Sequence, residues 1–349
     1  MKPVTPLRYA AVLIACSLLV LVLIVLSPGI GSQYRTVGWT DAWRAFFNRD
    51  SESTGYWIGF HHRLPRTVLA LQVGVTLALC GAVFQTLFRN ALATPYTLGV
   101  SSGGSLGALI AIRLGLSAGL WGISAISGCA FLGALLVIGV VFLLARGGRR
   151  LSTNELLLAG VTMGLFSSAM MMLVTYLSNA RQTFEIIGWM MGSLDPIGNV
   201  GSTLAWPLLV PAWIVLLGAA RALNQYTLGD ELAASRGVRV ERLQITCILI
   251  ASLATAAVVS FCGPIGFVGL VVPHITALIV GRDCRILLPA GALLGGVFLV
   301  ICDWLSQLIM VWAGRITGRD LSGVVLPIGV VTAVVGVPIF LTLLRRRAA

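Results

Sequence analysis

Residues 9–27 read YAAVLIACSLLVLVLIVLS, a run without a charged side chain. A segment of about 20 apolar residues matches the hydrocarbon thickness of a bilayer. Within it every backbone N–H and C=O must be paired inside the protein, and a helix does so segment by segment. Further runs of this kind follow at 64–87, 97–114, 120–145, 154–178, 204–222, 243–262, 267–281, 286–310 and 324–344. The expectation is an all-α polytopic membrane protein of about ten transmembrane helices, one transmembrane domain covering 1–349. The alternating segments of roughly ten residues that mark a membrane barrel are absent. The run 267–281 is short and edged by Gly and Pro, which predicts a broken or tilted helix. LIAC at 13–16 matches a lipoprotein cleavage pattern. The apolar run continues past Cys16, however, and too few residues precede it for a signal core, so 9–27 reads as an uncleaved first span.

The chain is 58% hydrophobic and 10% charged, with a formal net charge of +12. In a membrane protein such an excess sets topology and meets anionic headgroups, so lipid is the expected partner and nucleic acid is not. Threading the spans with the N-terminus inside collects the clusters RGGRR (146–150) and RRR (345–347) on the cytoplasmic side, together with Arg89, Arg236, Arg239 and Arg242. Both termini then lie in the cytoplasm. Lys2 is the sole lysine. A phosphate-binding P-loop needs a lysine after its glycines, so any ATP used is hydrolysed by another chain. The seven cysteines show no paired spacing, which supports neither a disulfide framework nor a zinc site. His61 and His62 are adjacent and would point about 100° apart on a helix. His274 reads as a structural histidine, and no catalytic set stands out.

Residues 28–63 form the longest outer segment; Trp39, Trp43, Tyr56 and Trp57 suit an interfacial belt. In 90–109, NALATPYTLGVSSGGSLGAL, a turn ending at Pro95 precedes Gly99, Gly103 and Gly107, spaced by four. Small residues let helix backbones approach closely where lipid offers no hydrophobic drive, so this span is expected to be buried. In 154–178, Thr162, Ser167, Ser168 and Thr175 lie among Met163, Met170, Met171 and Met172. Cheap hydroxyls and pliable thioethers could line a path for a bulky solute, with Thr162, Ser167 and Met171 as candidates. Helix packing explains the same residues equally well. Asp303 is an acid deep in a span, and Ser306 and Gln307, one turn on, could satisfy it. Such scarcity of intramembrane ionisable groups argues against the alternative of an ion- or proton-coupled secondary transporter acting alone.

Against this background TLGDELAASRGVRVERLQ, 227–244, is anomalous, with Asp230, Glu231, Arg236, Arg239, Glu241 and Arg242 between two apolar spans. Gly237 breaks or caps a helix, which suggests two short helices. Asp230 and Glu231 suit a first helical turn. Leu228, Leu232, Val238 and Leu243 among the charges suit a groove on a partner protein rather than a solvated loop.

Four blocks carry a resemblance: RLPRTVLALQVGVTLALCGAVFQTLFRNALATPYTLGVSSGGSLGAL, LGDELAASRGV, GPIGFVGLVVPHI and LPIGVVTAVVGVPIFLTLL. In this order they resemble the FecCD-type permeases of iron–siderophore, haem and vitamin B12 ABC importers. The resemblance implies the type II ABC importer permease fold in a bacterial inner membrane. It implies a permease homo- or heterodimer, two cytoplasmic ATPase subunits that hold ATP and Mg, and a periplasmic binding protein; the permease itself binds no cofactor. It implies that coupling helices near 227–242 contact the ATPases through Leu228, Gly229, Asp230, Glu231, Ala234, Gly237 and Val238. It further implies that Arg63 and Arg66 meet the binding protein, and that spans near 154–178 and 324–344 line the path. Two departures stand out. The vitamin B12 permease pattern has an arginine shortly after the position of Asp303, where Ser306 and Gln307 stand here; Arg315 and Arg319 are the candidate substitutes. Val325 and Leu326 precede Pro327 where the family often has a glutamate.

Overall fold

The computed structural model describes residues 6–31, 38–48, 53–116, 123–145, 152–194, 200–318 and 324–348. The elements are α1 (Pro6–Leu26), α2 (Trp39–Phe47), a single turn α3 (Thr54–Tyr56), α4 (Leu64–Leu87), α5 (Val100–Arg113), α6 (Ala125–Ala145), α7 (Thr153–Tyr176) and α8 (Ala180–Met190). They continue as α9 (Val200–Gly218), α10 (Ala220–Tyr226), α11 (Asp230–Ser235), α12 (Val240–Cys262), α13 (Val268–Val280), α14 (Cys284–Thr317) and α15 (Ile328–Ala348). A π-helical turn, Trp57–Arg63, runs from α3 straight into α4.

Among the described residues, six helical runs are long and apolar enough to cross a membrane: α1, Thr54–Leu87, α6, α7, α12 and α14. α9 and α10 add a seventh as a pair bent by 47°, and α13 and α15 are shorter apolar helices. With α5, of 14 residues, these account for each predicted segment. The described residues form an all-α, multi-pass membrane protein.

Because lipid tails are as apolar as leucine, the bundle is held by close packing rather than by hydrophobic sorting. α4 is the central post, with 83% of its span window buried, against 17% for α1 and 11% for α7. Glycine makes this possible: a Cβ on Gly74 would overlap the Gly295 carbonyl of α14, and one on Gly81 the Gly269 carbonyl of α13. The glycine row of α5 behaves as expected, with Gly103 against Gly133 and Val137 and Gly107 against Cys129 of α6.

The ends of the bundle differ in chemistry. At one, the C-termini of α4 and α10 meet the N-termini of α12 and α14: the Tyr226 hydroxyl donates to the Leu87 carbonyl (3.1 Å) and the Cys284 N–H to Asn224 Oδ1 (2.8 Å). This is the basic end. At the other, the aromatic end, Trp43, Phe46, Tyr56 and Phe60 pack as one cluster. The Trp39 and Trp43 indoles donate to the Val25 carbonyl of α1. The expected belt is therefore a small folded crown.

Two expectations change. The segment 267–281 is a half-length helix: the first turn of α13 lies inside the bundle, with Gln85 Nε2 of α4 donating to the Leu270 carbonyl (3.1 Å). The segment 227–244 holds one short helix, not two, because VERLQ already belongs to α12. Its charges project beyond the apolar part of a helix long enough to reach past the membrane.

Candidate coupling and transport sites

α11 is built by its flanking glycines. Gly229 precedes it at φ +122, and its carbonyl accepts from the Ala233 N–H (2.9 Å). Gly237, at φ +84, sits just past the C-cap, a conformation that strains any residue with a Cβ. The Val238 N–H donates to the Ala233 carbonyl (3.0 Å) and the Gly237 N–H to that of Ala234 (2.9 Å), which together form a Schellman cap. Asp230 and Glu231 occupy the first turn, as the helix dipole favours. Ala233 is buried against the bundle, while Ala234 and Glu231 are exposed. Leu228 and Leu232, one turn apart, are each more than half exposed. Of the seven predicted coupling residues, Asp230, Glu231 and Ala234 lie in α11 and Leu228, Gly229, Gly237 and Val238 flank it, with apolar and acidic groups facing outward.

A knot fixes that element to the bundle. Arg89, just beyond α4 at φ +48, donates through Nη2 to the Tyr226 carbonyl (2.9 Å) and to Asp230 Oδ1 (2.6 Å). Its guanidinium carbon lies 4.6 Å from the Tyr226 ring centre, a cation–π contact. The Tyr226 hydroxyl accepts from Gln244 Nε2 (3.0 Å). Arg89 therefore joins the ends of α4, α10, α11 and α12. In the sequence it reads as one more topology-setting arginine, and nothing local marks a partner 141 residues away.

Arg63 and Arg66 lie at the aromatic end, but both turn into the protein. Arg63 is buried and donates through Nη1 to the Pro28 carbonyl (2.8 Å), tying the π-helical turn to the end of α1. Arg66 grips Asp303 with three hydrogen bonds, from Nε at 2.9 and 3.2 Å and from Nη2 at 2.8 Å. The side chains are 12% and 2% exposed. Gln307 donates to the same carboxylate (2.9 Å), whereas Ser306 donates to the Asp303 backbone carbonyl (2.7 Å). The counter-cation missing from the neighbourhood of Asp303 is therefore supplied by α4, not by Arg315, which is exposed. Arg319 lies outside the described residues.

The candidate path residues of α7 divide. Gly160, Gly164, Ser167 and Met171 form the inward stripe: Gly160 meets Leu98, Gly164 meets Ser102, and Met171 packs on Leu109, Ile112 and Ile186. Ser167 is fully buried, and its Oγ has no partner among the described residues. Thr162 lies on the opposite, uncovered face with Leu158, Leu165 and Met172, its hydroxyl donating to the Leu158 carbonyl (2.9 Å). Ser168 and Thr175 likewise bond their own helix. Sequence alone cannot separate these faces, because lipid and protein demand similar hydropathy.

Residues 18–346 match the family model described as the FecCD transport family. The chain is 39% identical over 285 residues to the cobalamin import system permease protein BtuC of Halobacterium salinarum, covering 82% of this chain and 72% of that protein. It is 37% identical over 339 residues to the vitamin B12 import system permease protein BtuC of Salmonella typhi, covering 96% and 95%. Its fold superposes with a TM-score of 0.79 on an inward-facing, putative metal-chelate type ABC transporter, at 28% identity over 97% of this chain and 99% of that one. A family match over residues 18–346 and relatives aligned over nearly the whole chain make one assignment: the chain belongs to the FecCD family and is the permease subunit of an ABC importer.

Proposed function

We propose that the chain forms the conduit of a binding-protein-dependent importer for a bulky metal chelate of the cobalamin, haem or ferric siderophore class. The basic end lies in the cytoplasm with both termini, and the membrane is the bacterial inner membrane. Two ATPase subunits, which carry the ATP and Mg, seat on α11. A second permease subunit covers the exposed face of α7, so that Thr162 borders the path while Ser167 and Met171 hold α7 to α5. A periplasmic binding protein lands on the crown of residues 38–48 and 53–63 and on Arg319; Arg63 and Arg66 position that crown.

The observation that carries this reading is α11: a capped helix that exposes Leu228, Leu232 and Glu231 while Arg89 and Asp230 fasten it to the bundle. An element that only closed a loop would not combine outward leucines with a rigid mount. Force applied at α11 passes through the knot into α4 and α12. A carrier working alone on a proton gradient would need an exchangeable acid, whereas Asp303 is engaged by Arg66 and Gln307.

The test is Arg89→Ala in the assembled transporter. The Arg89–Asp230 pair is about half exposed on both sides, so its loss costs at most about 1 kcal/mol of stability. The ATPase should still co-purify, while its stimulation by loaded binding protein falls several-fold. Unchanged stimulation would refute the mount. Gly237→Pro is the complementary change: the proline ring cannot adopt φ +84, so α11 loses its cap and the ATPase should no longer co-purify.

A further inference from the structure

The bend between α9 and α10 opens a cavity of about 660 Å³ at the basic end. Leu217 and Arg221 line it from the bend, Asp283, Arg285 and Ile286 from the start of α14, and Tyr9 from the start of α1. The three elements come from distant parts of the chain, so the cavity is a product of the fold rather than of one loop.

Its charge is unbalanced. Asp283 is saturated: it accepts from Arg285 Nη2 (2.7 Å), from Asn224 Nδ2 (2.7 Å) and from the Arg285 backbone N–H (3.0 Å). Arg285 gives two of its donors, Nε and Nη2, to this carboxylate, and its side chain remains 58% exposed. Arg221 is exposed and has no hydrogen-bond or ion-pair partner among the described residues. Among the described residues, one guanidinium and part of a second thus line the space with no anion left to meet them. The neighbouring surface is apolar: Ile214, about one turn before Leu217 on α9, is more than half exposed.

A ligand that suits this site is an anion carrying hydrocarbon. A free oxyanion would leave Leu217, Ile286 and most of the cavity unfilled. We propose that the cavity is a binding site for one anionic glycerophospholipid, its phosphodiester between Arg221 and Arg285, its headgroup hydroxyls within reach of Tyr9, and its acyl chains along Leu217 and Ile214. Arg221 lies on α10, which leads directly into α11. The bound lipid therefore braces α10, one of the helix ends that the Arg89 knot joins. What that brace means for coupling rests on the importer reading; the binding does not, so binding is what the experiment measures.

The permease is purified in mild detergent, stripped of lipid and titrated with phosphatidylglycerol or phosphatidylcholine, with native mass spectrometry counting bound lipid per chain. Wild type should take up one phosphatidylglycerol in clear preference to phosphatidylcholine. Arg221→Gln should bind phosphatidylglycerol about fivefold more weakly, from roughly one near-surface arginine charge. Arg221→Lys should retain the preference. Arg181→Gln, which removes an exposed arginine at the aromatic end, should leave binding unchanged. Equal uptake of the two lipids by wild type would overturn the proposal, as would an equal loss in Arg181→Gln. Displacement of the lipid by millimolar inorganic phosphate would overturn it in favour of a free-anion site.

Discussion

Replacing Arg66 by leucine strands the Asp303 carboxylate inside the bundle. Arg66 gives that carboxylate three hydrogen bonds and Gln307 a further one at 2.9 Å. Only 2% of the Asp303 side chain is accessible, so water cannot replace what is lost. Breaking one partner of such a pair costs about 3–5 kcal/mol, whereas replacing both with apolar groups is often close to neutral. Arg66→Leu and Asp303→Leu should each destabilise strongly, and the double variant should recover much of the loss, with a coupling energy on the order of 2–3 kcal/mol. Unfolding by dodecyl sulfate titration of the purified permease, followed by circular dichroism, measures all three. Additivity within about 0.5 kcal/mol would refute the pair as a structural unit. Uptake in cells provides the second arm. If Arg66→Leu abolished uptake while leaving stability unchanged, its role would be contact with the binding protein and not the positioning of α4 against α14.

Two further outcomes follow from the packing and from the basic end. Gly81→Ala should cost about 1–3 kcal/mol, because the new methyl meets the Gly269 backbone and neither helix can yield alone; Gly128→Ala, which opens onto empty space, should be silent in the same unfolding assay. The Asp283 carboxyl is held down at about 2, chiefly by the Arg285 hydrogen bond and further by Asn224. A depressed carboxylate stabilises the fold fully above its ordinary value of about 4 and loses that contribution as pH falls toward 2. Asp283→Asn should flatten the fall of thermal midpoint with pH in that window, and an unchanged profile would show that the carboxylate contributes nothing there.

Much of this architecture is legible in the sequence because the bilayer imposes a length. The runs 9–27, 64–87, 120–145 and 154–178 fall on α1, α4, α6 and α7 to within a few residues. α11 is legible too, since Gly229, Asp230, Glu231 and Gly237 are punctuation with local meaning. What is not legible depends on distance. Arg66 and Asp303 are 237 residues apart, and no local pattern pairs them. Each can be given a role alone, Arg66 as a docking cation and Asp303 as an acid satisfied by its own helix, and only the fold joins them. α8 escapes notice because an amphipathic helix of 11 residues following a span is too short to resemble another. The faces of α7 escape for a third reason: Thr162 and Ser167 are chemically alike, and the inward face is the one that carries Gly160 and Gly164, which meet Leu98 and Ser102.

Four stretches of the chain, at Tyr96, Met191–Ser193, Cys262–Ile265 and Gly329, are stitched together. The Ser193 N–H donates to the Cys262 carbonyl (2.8 Å), the Gly329 N–H donates to the Met191 carbonyl (3.1 Å), and the Tyr96 hydroxyl both donates to and accepts from the backbone of Ile265. Two of these stitches are main chain to main chain. An alanine scan would therefore pass over them without a trace, however much of the transport stroke they relay. Backbone surgery is the tool that reaches them: an ester in place of the Ser193 or Gly329 amide deletes a single N–H while keeping the side chains, and so asks whether α8, α12 and α15 swing as one yoke.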